Sequence, residues 1–234
     1  MDYFFGKLLE FNRLQLDKEE WNHCFRVLRK KERDIIGVLD GKGNVWEGRI
    51  NQNSQQTGEI DLHAEVETSM LAKRDYVLHI AVAPPKSSEK MEWFVEKAVE
   101  TGVDKISLLF TKRTERKQFN LEKLEKIAKS AIKQSGQTVL PIIQSIHFKE
   151  FIKEEDTQSK YIASCENASD AVLLSSIANT NACCVCIGPE GDFTAEEYIE
   201  ARKYGFVPLS LGKQRFKTET AAILVVMARL SYSS

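Results

Sequence analysis

Apolar positions along the chain are spaced in one way before about Tyr76 and in another way after it. In the first part they fall in short groups. Trp21, Cys24, Phe25 and Leu28 recur at helical spacing behind Asp17 and Glu20, which are placed as a capping box, and this predicts a helix running to about Arg29. DIIGVLD and NVWEGRI flank the turn Gly41-Lys42-Gly43, and EIDLHAEVE alternates in character. Hairpins are therefore expected, and with them a small β-barrel-like domain.

From Tyr76 onward, strand-like runs alternate with helix-like stripes. YVLHIAVAP is strand-like, and after Ser87-Ser88 the residues Met91, Phe94, Val95, Ala98 and Val99 form one continuous apolar stripe ending before Gly102, a C-cap position. DKISLLF reads as a buried strand, residues 120–135 as an amphipathic helix closed by Gly136, and VLPII as another strand. KYIASC, DAVLLSSI, CCVCIG, a helix, FVPLSLG and a last helix continue the series. Alternation of this kind predicts an α/β domain with a mostly parallel sheet and helices on both faces.

With 234 residues, 42% hydrophobic and 29% charged, the chain has the composition of a folded protein and the length for one large domain or two unequal ones. No apolar run approaches the roughly 20 residues of a membrane helix, and MDYFFGKLLEFNR lacks the basic-then-apolar order of a signal peptide. A cytoplasmic protein with no membrane partner is expected. Five cysteines, three of them in CCVC at Cys183, Cys184 and Cys186, read as reduced core thiols. His23, His63, His79 and His147 are scattered, so no metal-ligand set is read. The net charge of −1 is unlike the basic excess common in nucleic-acid binders, although Arg26, Arg29, Lys30, Lys31 and Arg33 crowd one stretch and Lys112, Arg113, Arg116 and Lys117 another. Taken alone, such runs mark solvated faces as readily as binding surfaces.

The segment from Ile187 to Ala222, IGPEGDFTAEEYIEARKYGFVPLSLGKQRFKTETAA, places two glycine-bearing turns directly after two apolar strands. In open α/β sheets ligands bind beyond the carboxyl ends of strands, so two such turns predict a pocket floor. Gly188 and Gly191 allow close backbone approach, Thr194 with Glu197 predicts a capping box for a helix that stops at Gly205, and Thr218 or Thr220 caps the last helix. No G-x-x-x-x-G-K-[ST] or G-x-G-x-x-G run lies between strand and helix, and there is no G-x-S-x-G elbow. Nucleotide hydrolysis and serine-hydrolase chemistry are therefore disfavoured.

IGPEGDF followed by LGKQRFKTETAA, together with EKAVETGVDKISLLFTKRTER, KQSGQTVLPII and HCFRVLRKK in the same order, resembles the ribosomal RNA small subunit methyltransferase E family of the knotted SPOUT superfamily. The resemblance implies a PUA-like RNA-binding β-barrel domain over residues 1–72 and a SPOUT methyltransferase domain over residues 73–234. It further implies a deep trefoil knot, against the general rule that chains do not thread their own loops. A homodimer with the cofactor pocket at the subunit interface, S-adenosylmethionine as methyl donor, and methylation of N3 of one uridine of 16S rRNA in the small ribosomal subunit follow from the same resemblance. Carried over by position, Ile187, Gly188, Glu190, Gly191, Leu211, Gly212, Phe216, Lys217, Thr218 and Ala221 should surround the cofactor, and Arg26, Arg29, Lys30, Arg113 and Arg116 should face RNA. The chain departs from the family at Asp192, where a glycine is usual, and at Gln137, Gln214 and Lys217, where arginines are usual. Arg215 stands one position along from Gln214 and keeps a cation there.

Methyl transfer from a sulfonium asks mainly for alignment at roughly 3 to 3.5 Å, whereas uridine N3 must also lose a proton. Glu190 and Glu219 are the carboxylates of the two signature stretches. Glu219 and Arg215 are the expected catalytic residues: Glu219 as a hydrogen-bonding anchor in the first turn of a helix, Arg215 as a cation that stabilises the uracil oxyanion. Two other readings stay open at this point: a non-catalytic RNA-binding or ribosome-assembly protein with the same fold, and a small-molecule nucleotide-binding enzyme.

Overall fold

The computed structural model describes residues 1–66, 76–163, 170–178 and 180–231. Cys165 and the expected domain boundary between residues 72 and 73 lie outside the described residues. The chain divides into two compact units, Met1–Lys73 with Ile132–Leu140, and Arg74–Ala131 with Pro141–Ser234.

In the first unit β1 (Tyr3–Leu9), β2 (Arg13–Leu16), β3 (Ile35–Leu39), β4 (Val45–Arg49) and β5 (Glu59–Glu65) form a closed barrel in the order β1-β2-β5-β4-β3. Parallel pairing of β1 with β3 closes it, and every other pair is antiparallel. Phe4, Leu14, Ile36, Val38 and Ile60 fill the interior with no exposed surface. The expected helix is shorter than its spacing suggests: α1 (Lys18–Asn22) passes into a π turn, His23–Val27, in which Leu28 N–H donates to His23 O at 2.9 Å. The capping box does not form, because Glu20 instead meets Lys133 at 2.9 Å and Asp17 makes no side-chain cap bond. A second short helix, α2 (Ser54–Thr57), precedes β5. Val139 and Leu140, expected to open a strand with Ile142, pair with the Gly41–Gly43 turn instead: Lys42 bridges Val139, and Leu140 N–H donates to Gly41 O at 2.8 Å. Pro141 has no N–H to continue a ladder, so the strand starts at Ile142.

The chain then runs β6 (Val77–Val82), α3 (Ser88–Thr101), β7 (Lys105–Phe110), α4 (Leu121–Ser135, whose residues from Ile132 on belong to the first unit), β8 (Ile142–His147), α5 (Phe148–Glu154), β9 (Ser159–Ala163), β10 (Val172–Leu173), β11 (Ala182–Ile187), α6 (Ala195–Lys203), β12 (Val207–Ser210) and α7 (Thr218–Ser231) in the second unit. Its sheet has the order β10-β12-β9-β11-β6-β7-β8, and every pair is parallel. The expected strand DAVLLSSI is only the two residues of β10, after which Leu174–Ile177 turn as a 3-10 helix. The sequence reading also passed over α5, whose Phe148, Phe151 and Ile152 join Ala81, Cys184, Cys186 and Ala201 in one core cluster. That cluster covers one face of the sheet. α7 packs with α3 and touches β6 and β11, which places it over the alternate residues such as Ile80 and Val185. The register pairs Ile187 with Val82 and sets Ile162 between Cys186 and Pro208, so β6, β11, β9 and β12 end together at one edge.

Beneath that edge lies a buried polar cluster that the scatter of histidines along the sequence concealed. The register of β6 and β11 sets His79 beside Cys184. His79 Nδ1 meets Glu155 Oε2 at 2.7 Å, and its Nε2 lies 2.8 Å from Ser107 Oγ, which also accepts from Gln144 at 3.0 Å. Burial alone would drive the imidazole neutral, but hydrogen bonds with Cys184 and Glu155 outweigh it and raise the His79 pKa to about 9. Burial likewise works to raise the Glu155 pKa, yet hydrogen bonds from His79 and Thr157 hold it down at about 2. His79 therefore contributes stability in full below its unfolded value of 6.5, and the contribution is lost as pH rises toward about 9. Glu155 contributes fully above 4.5, and its share is lost as pH falls toward about 2. Thermal unfolding scanned from pH 6 to 10 should show the midpoint falling across the alkaline half of that range. Glu155→Gln should lower stability by about 3 kcal/mol near neutral pH and flatten the alkaline slope; an unchanged slope in that variant would rule out the pair as its source.

Candidate active site

Two turns leave the common edge and face each other. The first follows β11. A Cβ at Gly188 would sit 3.1 Å from Asp192 Oδ1 and from Phe193 Cδ2, so a side chain here would push the turn open by a few tenths of an ångström. Asp192 N–H donates to Pro189 O at 2.9 Å to close the turn, and Asp192 takes a left-handed φ of 62°. Glycine adopts that conformation without strain, which fits the glycine that the family resemblance implies at this position. Aspartate tolerates it better than most residues, and here its Oδ1 accepts from Phe193 N–H at 2.8 Å. Phe193 is buried against Phe148 and Tyr198, which anchors the end of the turn.

The predicted capping box is formed: Glu197 N–H donates to Thr194 Oγ1 at 3.2 Å, and Thr194 N–H to Glu197 Oε2 at 2.9 Å. The other carboxylate oxygen of Glu197 accepts from Lys112 N–H at 2.8 Å, so one buried side chain joins the turn to the loop after β7. Arg113 in that loop adds to the joint by donating from Nη1 to Gly191 O and to Phe193 O.

The second turn follows β12 through Leu211 and Gly212, whose φ of 112° excludes a side chain without strain. Thr218, expected as a possible cap, does something else. It begins α7 and donates from Oγ1 to Gly188 O at 3.0 Å, tying the second turn to the first.

Between the turns is a cleft of about 150 Å³ that collects most of the predicted cofactor residues: Ile187, Gly188, Glu190, Leu211, Gly212, Phe216, Thr218 and Ala221. Ala163, Pro189, Asp192, Lys213 and Gln214 also line it; the sequence reading did not assign them to the site. Ala163 ends β9 at the same edge, so the strand-end rule that found the glycine turns would have found it too. A larger groove of about 690 Å³ adjoins the cleft and shares Glu190, Asp192, Arg215 and Phe216 with it. Gly191, Lys217, Arg113 and Tyr198 line the groove and not the cleft.

Arg215 thus stands on the wall common to both spaces, while Glu219 lines neither. Its carboxylate meets Lys90 of α3 at 3.2 Å in a separate recess with Trp93 and Lys217. Glu219 therefore braces the start of α7. The predicted RNA-facing residues fall into two sets. In the first unit Arg26 lies over the Trp21 ring at 5.0 Å, Arg29 is exposed with a φ of 53°, and Lys30 pairs with Asp2. In the second unit Arg113 holds the first turn, and Arg116 lies 4.7 Å from the Phe119 ring.

Such a site lines the cleft with apolar and glycine residues beside polar and charged ones, and the groove with Arg113, Arg215 and Lys217 among its charges. A small, flat, polar ligand suits the first and a larger anionic one the second. Among the described residues, no helix is long and apolar enough to cross a membrane.

Residues 72–230 match the family described as RNA methyltransferase domain, and residues 16–54 match that described as RNA methyltransferase PUA domain. Ribosomal RNA small subunit methyltransferase E of Mesomycoplasma hyopneumoniae is 30% identical over 211 residues, covering 88% of each chain. The protein of the same name from Rickettsia conorii is 26% identical over 231 residues, covering 96% of this chain and 92% of its own. Among solved structures, the Neisseria gonorrhoeae ribosomal RNA small subunit methyltransferase E bound to S-adenosyl methionine superposes with a TM-score of 0.85 at 25% identity, over 99% of this chain and 97% of that one. A methyltransferase from Legionella pneumophila in complex with the same cofactor gives 0.83 at 25% identity, over 98% and 96%. With the RNA methyltransferase match spanning most of its length and a 30% identical relative aligned over 88% of it, the chain belongs to the ribosomal RNA small subunit methyltransferase E family.

Proposed function

We propose that this protein transfers the methyl group of S-adenosylmethionine to N3 of a uridine in the 16S rRNA of the small ribosomal subunit. The observation that carries the reading is the cleft between two glycine turns that adjoins, at Arg215 and Phe216, a groove of about 690 Å³. The cleft suits the cofactor: Gly188 and the left-handed Gly212 both line it. Ile187, Gly188, Leu211, Gly212, Phe216, Thr218 and Ala221 would hold it. When bound, the cofactor supplies an already activated methyl group on a sulfonium, so the residues need to orient and desolvate more than to activate.

Chain residues have the harder task at the acceptor. Uridine N3 carries a proton, and the base has to leave its stack to enter the groove. Arg215, on the shared wall, stabilises the negative charge that spreads onto the uracil carbonyl oxygens as N3 gives its proton to water and takes up the methyl group. Glu190 lines the same wall, whereas Glu219 acts at a distance by fixing α7 through Lys90. Arg26, Arg29, Lys30 and Arg116 serve the RNA backbone, where affinity falls steeply with salt.

The same proposal includes cytoplasmic location, a trefoil knot and a homodimer. Return of the chain to pair β12 with β9, after β11 has occupied the other side of β9, supports the knot. For the dimer, Trp93 of α3 is 45% exposed and Met227 and Leu230 of α7 are 52% and 40% exposed. Ile223, Leu224, Met227 and Leu230 follow a single stripe of α7 that starts at Thr220, beside Trp93. Sedimentation should return twice the 26.7 kDa chain mass, and a monomer at micromolar concentration would refute the dimer.

Labelled methyl transfer to small subunits lacking their own modification, with the product nucleoside identified, tests the reaction itself. Label in N3-methyluridine is expected, and Arg215→Ala should cut kcat about 100-fold while leaving cofactor affinity within a few-fold. Cofactor binding with no label in any RNA would instead favour a ribosome-assembly protein. An undiminished kcat would remove Arg215 from the mechanism.

A further inference from the structure

We propose that Arg113 couples cofactor binding to RNA binding, as a positioning residue that holds the cofactor turn with one nitrogen and an RNA phosphate with the others. The inference rests on the proposed function and adds to it a communication between the two halves of the site.

Arg113 sits where the two ligands would meet. It belongs to the groove and not to the cleft, yet its Nη1 donates to Gly191 O and Phe193 O, the carbonyls on either side of the left-handed Asp192. Its side chain also lies against the turn, since a Cβ on Gly191 would be 3.4 Å from Arg113 Cδ. The turn so held includes Gly188, Glu190 and Asp192 of the cleft wall.

The loop that carries Arg113 is itself fixed. Thr111 and Thr114 are buried with their hydroxyls joined by one hydrogen bond of 2.9 Å, Thr111 N–H donates to Thr114 Oγ1 at 2.9 Å, and Lys112 N–H donates to Glu197. Only the exposed side chain of Arg113 is left to move between these anchors.

A guanidinium has five N–H donors in a planar fork. The turn carbonyls occupy Nη1, and among the described residues nothing takes the hydrogens of Nε and Nη2. Those donors are free to grip a phosphate in the groove through paired, charge-assisted bonds. A phosphate held there fixes the rotamer that closes the turn, and a turn already closed around the cofactor presents the fork to the phosphate. Each ligand therefore tightens the other by the same factor. Lysine cannot substitute, because one ammonium is not a fork that spans two carbonyls and a phosphate.

The test is the equilibrium affinity of the intact protein for S-adenosylhomocysteine, alone and with unmodified small subunits at concentrations saturating for each variant. The wild type should bind S-adenosylhomocysteine about 5-fold or more tightly in the presence of subunits. In Arg113→Ala and Arg113→Lys that ratio should fall to about 1, whatever happens to the absolute affinities. If Arg113 only shapes the turn, both affinities drop together and the ratio survives, which overturns the proposal. A wild-type ratio of 1 overturns it as well and leaves the methyltransferase reading intact. A wild type that binds no S-adenosylhomocysteine at all defeats both.

Discussion

The bond from the Thr218 hydroxyl to the Gly188 carbonyl joins two segments thirty residues apart, and the site depends on it. Each glycine turn alone is an ordinary loop at the end of a strand. Joined, they enclose a cleft, because the parallel register brings β11, β9 and β12 to the same edge with β9 in the middle. The donor is the first residue of α7, so the link also sets the position of Phe216 just before that helix and of Ala221 within it. The ion pair of Glu219 with Lys90 holds the same helix start from its other side.

Charge is used differently at different depths. Below the edge, His79 and Glu155 form a buried pair with Ser107, Gln144 and Thr157 satisfying the remaining polar atoms, an arrangement that binds β6, β7, β8 and the segment after α5 into one network. Over the whole sequence 33 Lys and Arg side chains are nearly balanced by 34 Asp and Glu side chains. A net charge of −1 agrees poorly with binding to RNA through a broad electrostatic surface. It agrees well with a few forks, such as Arg113 and Arg215, aimed into one groove.

Much of this was legible from spacing alone. The stripe Met91, Phe94, Val95, Ala98 and Val99 is the buried face of α3, Gly102 is its left-handed cap, and Thr194 with Glu197 is a capping box, because each of these is decided within one turn of backbone. What spacing missed was decided between distant segments. Glu20 went to Lys133 rather than to a cap, Val139 and Leu140 went to the Gly41 turn rather than to a strand, and His79 met Glu155 across the sheet. In the site, the glycine turns were visible as strand ends, and Asp192 was visible only as a departure. Its φ of 62° fits the glycine that the family resemblance implies there. Glu219, chosen for its place in a signature stretch, faces away from the cleft, since neighbouring helix residues point about 100° apart and Thr218 takes the inward direction.

The central claim is that two turns, joined by one hydroxyl, make the cofactor site. Titration of Thr218→Val with S-adenosylhomocysteine, alongside its denaturant unfolding, tests this most directly, because the substitution keeps shape and removes the donor. Affinity about 10-fold weaker than wild type, with a closely similar unfolding midpoint, is the predicted result. Unchanged affinity would mean that the turns hold their positions without the bond, and would contradict the account.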